Sequence, residues 1–397
     1  MKSKNLIILI LATCNTCTEP RRSVQPVTTK LVEMSKCIFS LFIYCLLLLP
    51  TAFVMLSGVV LMSLSNQAFA QDIHFSQYGA SPLSMNPALA GTFNGDLRGI
   101  LTYRDQWSKL DNAYKTYALN CDAKLLSPKT GSGFLGGGIS FFYDMAGASG
   151  LATTLANISI AYHLKLNREN LFTVGLQGGI LQQKLNDSYF QWDSQYDGYN
   201  YNPTLASNEN IAKNSYIVPD FSLGGVWNYW SKGVKEHAAN EAFKSELGLA
   251  VFHVNKPEYS FYNSTKDNIN IRFVTHGNAF IGINTVFAIV PSFVYMNQGE
   301  SSELILGTSI RLMTKETSSV NGYFKQGALS IGGYYRFNDS FIASILFESK
   351  NFAIGFSYDI NTSDLKLATG KDGGMEITLR YTTPSPFNYR KKGNSLL

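Results

Sequence analysis

The chain has 397 residues, of which 45% are hydrophobic, 13% aromatic and only 15% charged. Soluble domains carry about 25% charged residues, and a disordered chain needs many charges and few aromatics, so both classes fit poorly. A helical membrane protein with several spans is excluded because a single apolar run reaches about 20 residues, and the formal net charge of +5 is concentrated near the N-terminus.

That apolar run follows Lys36, spans 37–64 with one break at Pro50, and ends in Asn66-Gln67-Ala68-Phe69-Ala70. A basic start, an apolar stretch and an Ala-x-Ala site make a secretory signal peptide. Residues 1–70 are therefore expected to be a leader cut after Ala70, with an uncleaved anchor as the rival. Met34 is a natural start, which makes 1–33 an extension of the leader. A lipobox at Leu11–Cys14 is the weaker reading, because Thr13 fits it poorly. Residues 1–70 hold six of the 33 Lys and Arg and two of the 28 Asp and Glu, so the remainder carries only +1. No nucleic-acid partner is expected, since such binding needs a basic patch that persists in the fold. Cys14, Cys17, Cys37 and Cys45 also fall in the leader, leaving Cys121 alone and no intramolecular disulfide. The Cys14-x-x-Cys17 pair lacks the second Cys or His pair of a zinc site.

Residues 71–95 are too polar and Pro-rich for a membrane strand. They read as a lead-in or plug, with Asp72, His74, Phe75, Ser76, Gln77, Tyr78, Asn86 and Pro87 as the candidates for plug or partner contacts. His74 reads as a hydrogen-bonding residue and not a metal ligand, because no second ligand lies at metal spacing. No metal or cofactor is expected.

From 96 to 383 the period is two, the strand period. Fourteen strands are expected: 96–107, 114–126, 134–144, 151–165, 169–184, 215–230, 245–255, 269–282, 284–296, 302–313, 325–337, 340–349, 351–361 and 373–382. Apolar residues alternate with polar ones, as in Phe352, Ile354, Phe356, Tyr358 and Ile360 against Ala353, Gly355, Ser357, Asp359 and Asn361. Runs of about 10 residues match a tilted membrane-crossing strand, whereas soluble strands average about 5–6. With the leader and the absence of disulfides, this predicts an all-β fold, a transmembrane antiparallel β-barrel of the bacterial outer membrane with a lipid-facing apolar exterior. A soluble periplasmic β-protein is the rival. Tyr103, Trp107, Tyr143, Tyr162, Trp227, Trp230, Tyr295 and Tyr335 suit interfacial girdles. The long connectors 186–214, 231–244 and 256–268 are expected on the cell surface, with the tight turns periplasmic. Residues 384–397 form a C-terminal tail.

Catalytic signals are weak. Gly131-Ser132-Gly133-Phe134-Leu135-Gly136 fits a nucleotide fingerprint but is followed by a strand pattern where a helix is required. His163 and Ser159 share a strand face without a supporting acid, and no other nucleophile motif is present. The inward charges Arg311, Arg336, Glu348, Glu376 and Arg380 are expected to pair across the lumen, with a selectivity or cargo role as the alternative. Strand glycines such as Gly178-Gly179 and Gly224-Gly225 suit bends or close packing in the wall.

Two regions carry a family resemblance. The first reads Gln71-Asp72-Ile73-His74-Phe75-Ser76-Gln77-Tyr78, then Asn86-Pro87-Ala88-Leu89-Ala90-Gly91, then Tyr103-Arg104-Asp105-Gln106-Trp107. The second reads Tyr358-Asp359-Ile360-Asn361, then Gly373-Gly374-Met375-Glu376-Ile377, then Leu379-Arg380-Tyr381. Together they resemble the PorP/SprF family of Bacteroidetes outer-membrane proteins. The long leader and the tail ending in Leu397 depart from that pattern. The resemblance implies a non-enzymatic barrel of the type IX secretion and gliding-motility system. It implies outer-membrane lipid, secretion-machine subunits and a cargo, a surface adhesin or its C-terminal domain, as partners. The alternative function is a porin or transporter for small solutes.

Overall fold

The computed structural model describes residues 72–383, apart from 110–112, 127–132, 148–149, 187–189, 210–213, 232–242, 262–266, 285, 314–326 and 350. The expected leader 1–70 and tail 384–397 lie outside the described residues. Fourteen antiparallel strands close into one barrel. In chain order they are β1 (Leu97–Gln106), β2 (Tyr114–Leu126), β3 (Gly133–Ala146), β4 (Leu151–Lys165), β5 (Asn170–Lys184), β6 (Ser215–Trp230) and β7 (Phe243–Phe252). A two-stranded ribbon, β8 (Glu258–Tyr259) with β9 (Asp267–Asn268), stands apart from the wall. The barrel resumes with β10 (Arg272–Gly282), β11 (Phe287–Gln298), β12 (Ser301–Met313), β13 (Gly327–Arg336), β14 (Ser340–Ser349), β15 (Phe352–Asn361) and β16 (Asp372–Thr382). Each of the fourteen expected strands is present. Sequence neighbours pair throughout, and β1 closes on β16 in the register Arg98 with Thr382 through Gln106 with Gly374. Closure leaves no strand edge unpaired, which a span through lipid requires.

The period-two pattern fixes which side chain faces where. Along β15 exposure alternates without a break, Phe352, Ile354, Phe356, Tyr358 and Ile360 out and their neighbours buried. Isolated outward residues reach 64% exposure at Ile158 and Leu176, an apolar surface that only lipid would cover. Outward Tyr103, Tyr117 and Tyr143 form a ladder with centroids 5.1 and 6.5 Å apart. At the opposite ends of the strands Phe352 packs on Tyr381 at 4.8 Å. The outward Tyr162, Trp227, Tyr295 and Tyr335 join these bands, as expected of girdles. Trp230 departs: it pairs with Lys244 in register and shares the inward parity of Val226. Trp107 departs too, lying just past β1 at a φ of 58°.

β1 begins and β16 finishes at one end of the barrel, here the near end. Connectors then alternate between ends. β5, β7 and β15 finish at the far end, where 362–371 lies, and β4, β6 and β12 finish at the near end, where 166–169 lies. The expectation that 186–214, 231–244 and 256–268 share one face therefore fails for 231–244. It follows β6 where 186–214 follows β5, and consecutive connectors of an up-and-down barrel must lie at opposite ends. Residues 232–242 themselves lie outside the described residues. The Gly131–Gly136 motif ends inside β3 at Gly133–Gly136, in strand and not at a helix start.

Placing an arginine at Ile158, midway along β4, is expected to destabilise the barrel in lipid vesicles by about 2–4 kcal/mol, and a lysine at Leu126 on the near rim by about 0–1. Urea unfolding of both variants checks the lipid-facing assignment, and equal costs would contradict it.

Candidate functional site

The inward face of the barrel carries charges that lipid cannot satisfy, and the N-terminal segment brings the groups that do. Residues 72–95 carry a short helix, Pro82–Met85, and two single turns, Tyr78–Ala80 and Pro87–Leu89. Proline at the first position of the helix and of the second turn suits a start that needs no N–H donor. The segment enters the lumen near the far end, where Asp72 meets β10 and β11. It leaves at the near end, where Gly95 lies against Thr382.

Four attachments hold it. At the far end the Asp72 carboxylate pairs with His253 Nε2, and His253 Nδ1 pairs with Asp220 at 2.8 Å. Arg272 Nε lies 3.6 Å from the same Asp72 oxygen. The Asp72 backbone N–H donates to Gln298 Oε1 at 2.9 Å. Burial opposes a positive charge on His253, but Asp72 and Asp220 outweigh it and raise the imidazole pKa to about 9. Burial likewise opposes the charge on Asp72, but His253 and Arg272 hold that carboxyl well below the usual carboxylate range.

The second attachment is a buried clamp on the peptide His74–Gln77. The backbone N–H groups of Ser76 and Gln77 donate to the two oxygens of Glu376, at 2.6 and 2.8 Å. Ser76 Oγ donates to Asp359 at 2.6 Å and accepts from Arg336 Nη2 at 2.6 Å. Arg336 Nη1 also donates to Asp359 at 3.1 Å and to Asp339 at 2.9 Å. Arg104 Nη1 donates to the His74 carbonyl, and its Nε lies 3.5 Å from Glu376. His74 Nε2 sits 3.4 Å from Glu303, and burial together with Arg104 and Arg336 holds its imidazole well below the ordinary value. His74 therefore serves as a neutral hydrogen-bonding ring. Phe75 packs on Phe142 at 6.2 Å. Tyr78 bonds Ser292 at 2.7 Å and meets Tyr334 edge-on at 5.9 Å.

The third attachment is Asn86. Its amide nitrogen lies 3.1 Å from the carbonyls of Gly225 and Leu249 and 3.2 Å from His276 Nε2. Its oxygen accepts from the Ala88 N–H at 2.9 Å. Pro87 and Ala88 press on bare wall: a Cβ at Gly175 would stand 2.3 Å from Ala88 N, and one at Gly224 would stand 2.0 Å from Asn86 Oδ1. Of the wall glycines expected to serve close packing, Gly224 does so against the lumenal segment, whereas Gly178 and Gly179 meet the wall itself at Phe221 and Asn157.

The fourth lies at the near end. His163 Nε2 bonds the Ala90 carbonyl at 2.8 Å, and its Nδ1 lies 3.0 Å from Thr173 Oγ1. Ser159 accepts from Gln177 at 3.0 Å. Ser159 and His163 are thus occupied by different partners. Gly91 N–H donates to Asp122 at 2.8 Å, and Asp122 also takes Arg98 through two bonds.

All eight sequence-nominated residues, Asp72, His74, Phe75, Ser76, Gln77, Tyr78, Asn86 and Pro87, thus sit inside the barrel. Among the described residues no three His, Cys, Asp or Glu side chains converge on a metal-sized site. Of the charges expected to pair, Arg336 and Glu376 belong to the clamp, and Arg311 and Arg380 share Glu348. Sequence reasoning missed Arg104, Asp122, Asp220, His253 and Arg272 as holders of the segment. Arg104, Asp122, Asp220 and Arg272 carried the one available signal, a charge at inward parity; which inward residue meets which is not periodic information.

Residues 67–381 match the family described as Type IX secretion system membrane protein PorP/SprF. No curated protein matches the chain. Similar solved structures include BamA from Haemophilus ducreyi lacking POTRA domains 1–3, with 12% identity, TM-score 0.39, and coverage of 73% of this chain and 70% of that one. The Ralstonia pickettii toluene transporter TbuX shows 10% identity, TM-score 0.40, and coverage of 77% and 94%. The β domain of the Bordetella autotransporter BrkA shows 9% identity, TM-score 0.34, and coverage of 73% and 100%.

Two outcomes are expected. The folded pKa of His253 lies above its unfolded value of about 6.5, so its contribution is complete below that pH and lost as pH rises through 9. The full loss is about 3 kcal/mol. Hydrogen-exchange protection of residues 72–77, corrected for intrinsic rate, should fall between pH 6 and 10, and a flat profile would remove the latch. Separately, Gly175→Val suits a strand but collides with Ala88. It should leave a heat-modifiable barrel whose residues 72–95 become protease-sensitive, where the wild type is protected.

Proposed function

The chain belongs to the PorP/SprF family of type IX secretion system membrane proteins and is a bacterial outer-membrane β-barrel; from that premise we propose that it works by protein–protein contact, without catalysis, to assist secretion or surface retention of a cargo protein such as an adhesin. The observation that supports this most is the occupied lumen. Segment 72–95 is tied to the wall by Asp72, by the clamp on Ser76 and Gln77, by Asn86 and by Gly91. A continuous aqueous path for small solutes is thereby the weaker reading, and the rims and the remaining lumenal space are left for partners. Outer-membrane lipid, the cargo or its C-terminal domain, and secretion-machine subunits are the partners of this reading.

We further propose the organisation 1–70 a cleaved leader, 71–95 a plug, 96–383 the barrel and 384–397 a tail; the path of 72–95 through the lumen and the fourteen strands support its two middle parts. The far end holds the longest connectors and so faces the cell surface. Asp72 sits at that end.

The test is a pull-down of the tagged barrel from native outer membranes in mild detergent, read by mass spectrometry. A secreted surface protein or secretion-machine subunits should co-purify, and the barrel itself should begin at Gln71. Deleting 72–93 should abolish cargo retention in cells with the barrel still folded. Recovery of the barrel alone, with unchanged secretion and raised solute uptake after the deletion, would give the transporter reading the lead.

A further inference from the structure

The lumenal segment does not fill the barrel evenly. Its Pro87–Leu89 turn leans on β4, β5 and β6, while the near-end half of the lumen beside β10–β16 stays open as a cavity of about 360 Å³. The plug residues Gln77–Ala80 form its floor. This volume lies in the range of sites that hold a ligand. The wall here interleaves short hydroxyl and amide groups, Asn278, Ser309, Ser330, Ser344 and Thr378, with apolar side chains such as Ile100 and Val290. Such groups give and accept hydrogen bonds along an extended backbone.

Charge at the near-end mouth is unbalanced. Arg311 and Arg380 both hold Glu348, at 2.7 and 2.5 Å, so two guanidinium groups share one carboxylate. Arg311 Nε is buried and has no hydrogen-bond partner among the described residues. All three side chains remain partly open, at 31, 30 and 23% exposure. Lys244 adds a third cation, placed over the ring of Phe280, another lining residue, at 5.6 Å. Glu246, bonded to Asn278 at 3.1 Å, is the second acid. Among the described residues the lining itself carries two guanidinium groups against one carboxylate, with Lys244 and Glu246 just behind it, so the chamber is positive, and a guanidinium forks onto a carboxylate.

We propose that this chamber receives an extended, acidic peptide segment of a partner polypeptide, entering from the near end and docking its carboxylates on Arg311 and Arg380. The chain's own tail is a poor occupant by charge: residues 384–397 contain Arg390, Lys391 and Lys392 and no Asp or Glu. The inference rests on the protein-contact reading given above and names the chemistry of one contact.

The test uses the purified processed protein in detergent and a fluorescein-labelled peptide, Gly-Ser-Asp-Glu-Asp-Glu, followed by anisotropy. The control is its amidated Asn/Gln counterpart. The acidic peptide should bind and the control should not. Arg311→Gln and Arg380→Gln should each weaken binding by about tenfold or more, the loss of one charge-assisted contact. Glu348→Gln should tighten it by removing the competing carboxylate. Heat-modifiable migration confirms that each variant is folded. Equal binding of the control, or wild-type affinity in the double arginine variant, would overturn the proposal. Tighter binding after deletion of 384–397 would also overturn it, by making the tail the occupant. Cargo recovered in the pull-down, with peptide binding indifferent to both arginines, would sink this inference alone. Arginine-dependent binding with no secreted partner recovered would keep the chamber and sink the cargo reading.

Discussion

Glu376 accepts the backbone N–H groups of Ser76 and Gln77, and around that contact Arg104, Arg336 and Asp359 close a network buried inside the barrel. Much of the rest of the structure depends on it. A charged side chain taken from water costs several kcal/mol unless its partners are well placed. The inward faces of β1, β13, β15 and β16 each contribute such a group. Strands of an empty barrel would present these charges to water. Here they are buried, and the partners that meet them come from a segment distant by as many as 300 residues in sequence from the strand that holds it. The wall and the lumenal segment thus complete each other electrostatically.

The second constraint is steric. Backbone packs against backbone where Gly175 faces Ala88 and where Gly136 faces Ala90, positions at which any Cβ would collide. These glycines lie on β3 and β5, and with Gly224 on β6 they draw the segment to one side of the lumen. The opposite side keeps its longer inward side chains, Arg311, Glu348 and Arg380, and keeps the cavity they line. One asymmetry in residue size along the sheet therefore produces both the sealed half and the open chamber.

The latch at the far end differs in kind from the clamp. His253 is held by two carboxylates and sits in the left-handed backbone region, at a φ of 57°, a conformation that costs a non-glycine residue energy unless neighbours enforce it. It depends on one ring between two carboxylates, whereas the clamp joins two arginines, two carboxylates and two backbone N–H groups. The segment is accordingly fixed more firmly in the middle of the lumen than at its first residue.

The alternation of Phe352–Asn361 and its counterparts determined, from sequence alone, the strand count, the strand limits to within a few residues, and the inward or outward face of nearly every wall residue. It could do so because side-chain direction in a strand is a local, period-two property. The motifs around Asp72–Tyr78 and Asn86–Gly91 likewise marked the residues that prove to lie in the lumen, and those around Tyr358 and Glu376 marked part of the wall that grips them. Trp230 and the connector 231–244 show where local reading stops: one depended on parity at a strand end, the other on counting strands to learn which rim it joins. The path of 72–95 through the lumen, its four attachments and the uncovered chamber were decided only by the tertiary structure. That segment has no period, and its partners are chosen by which inward charges and which bare glycines closure of the sheet brings within reach. Those distances exist only once β1 has met β16.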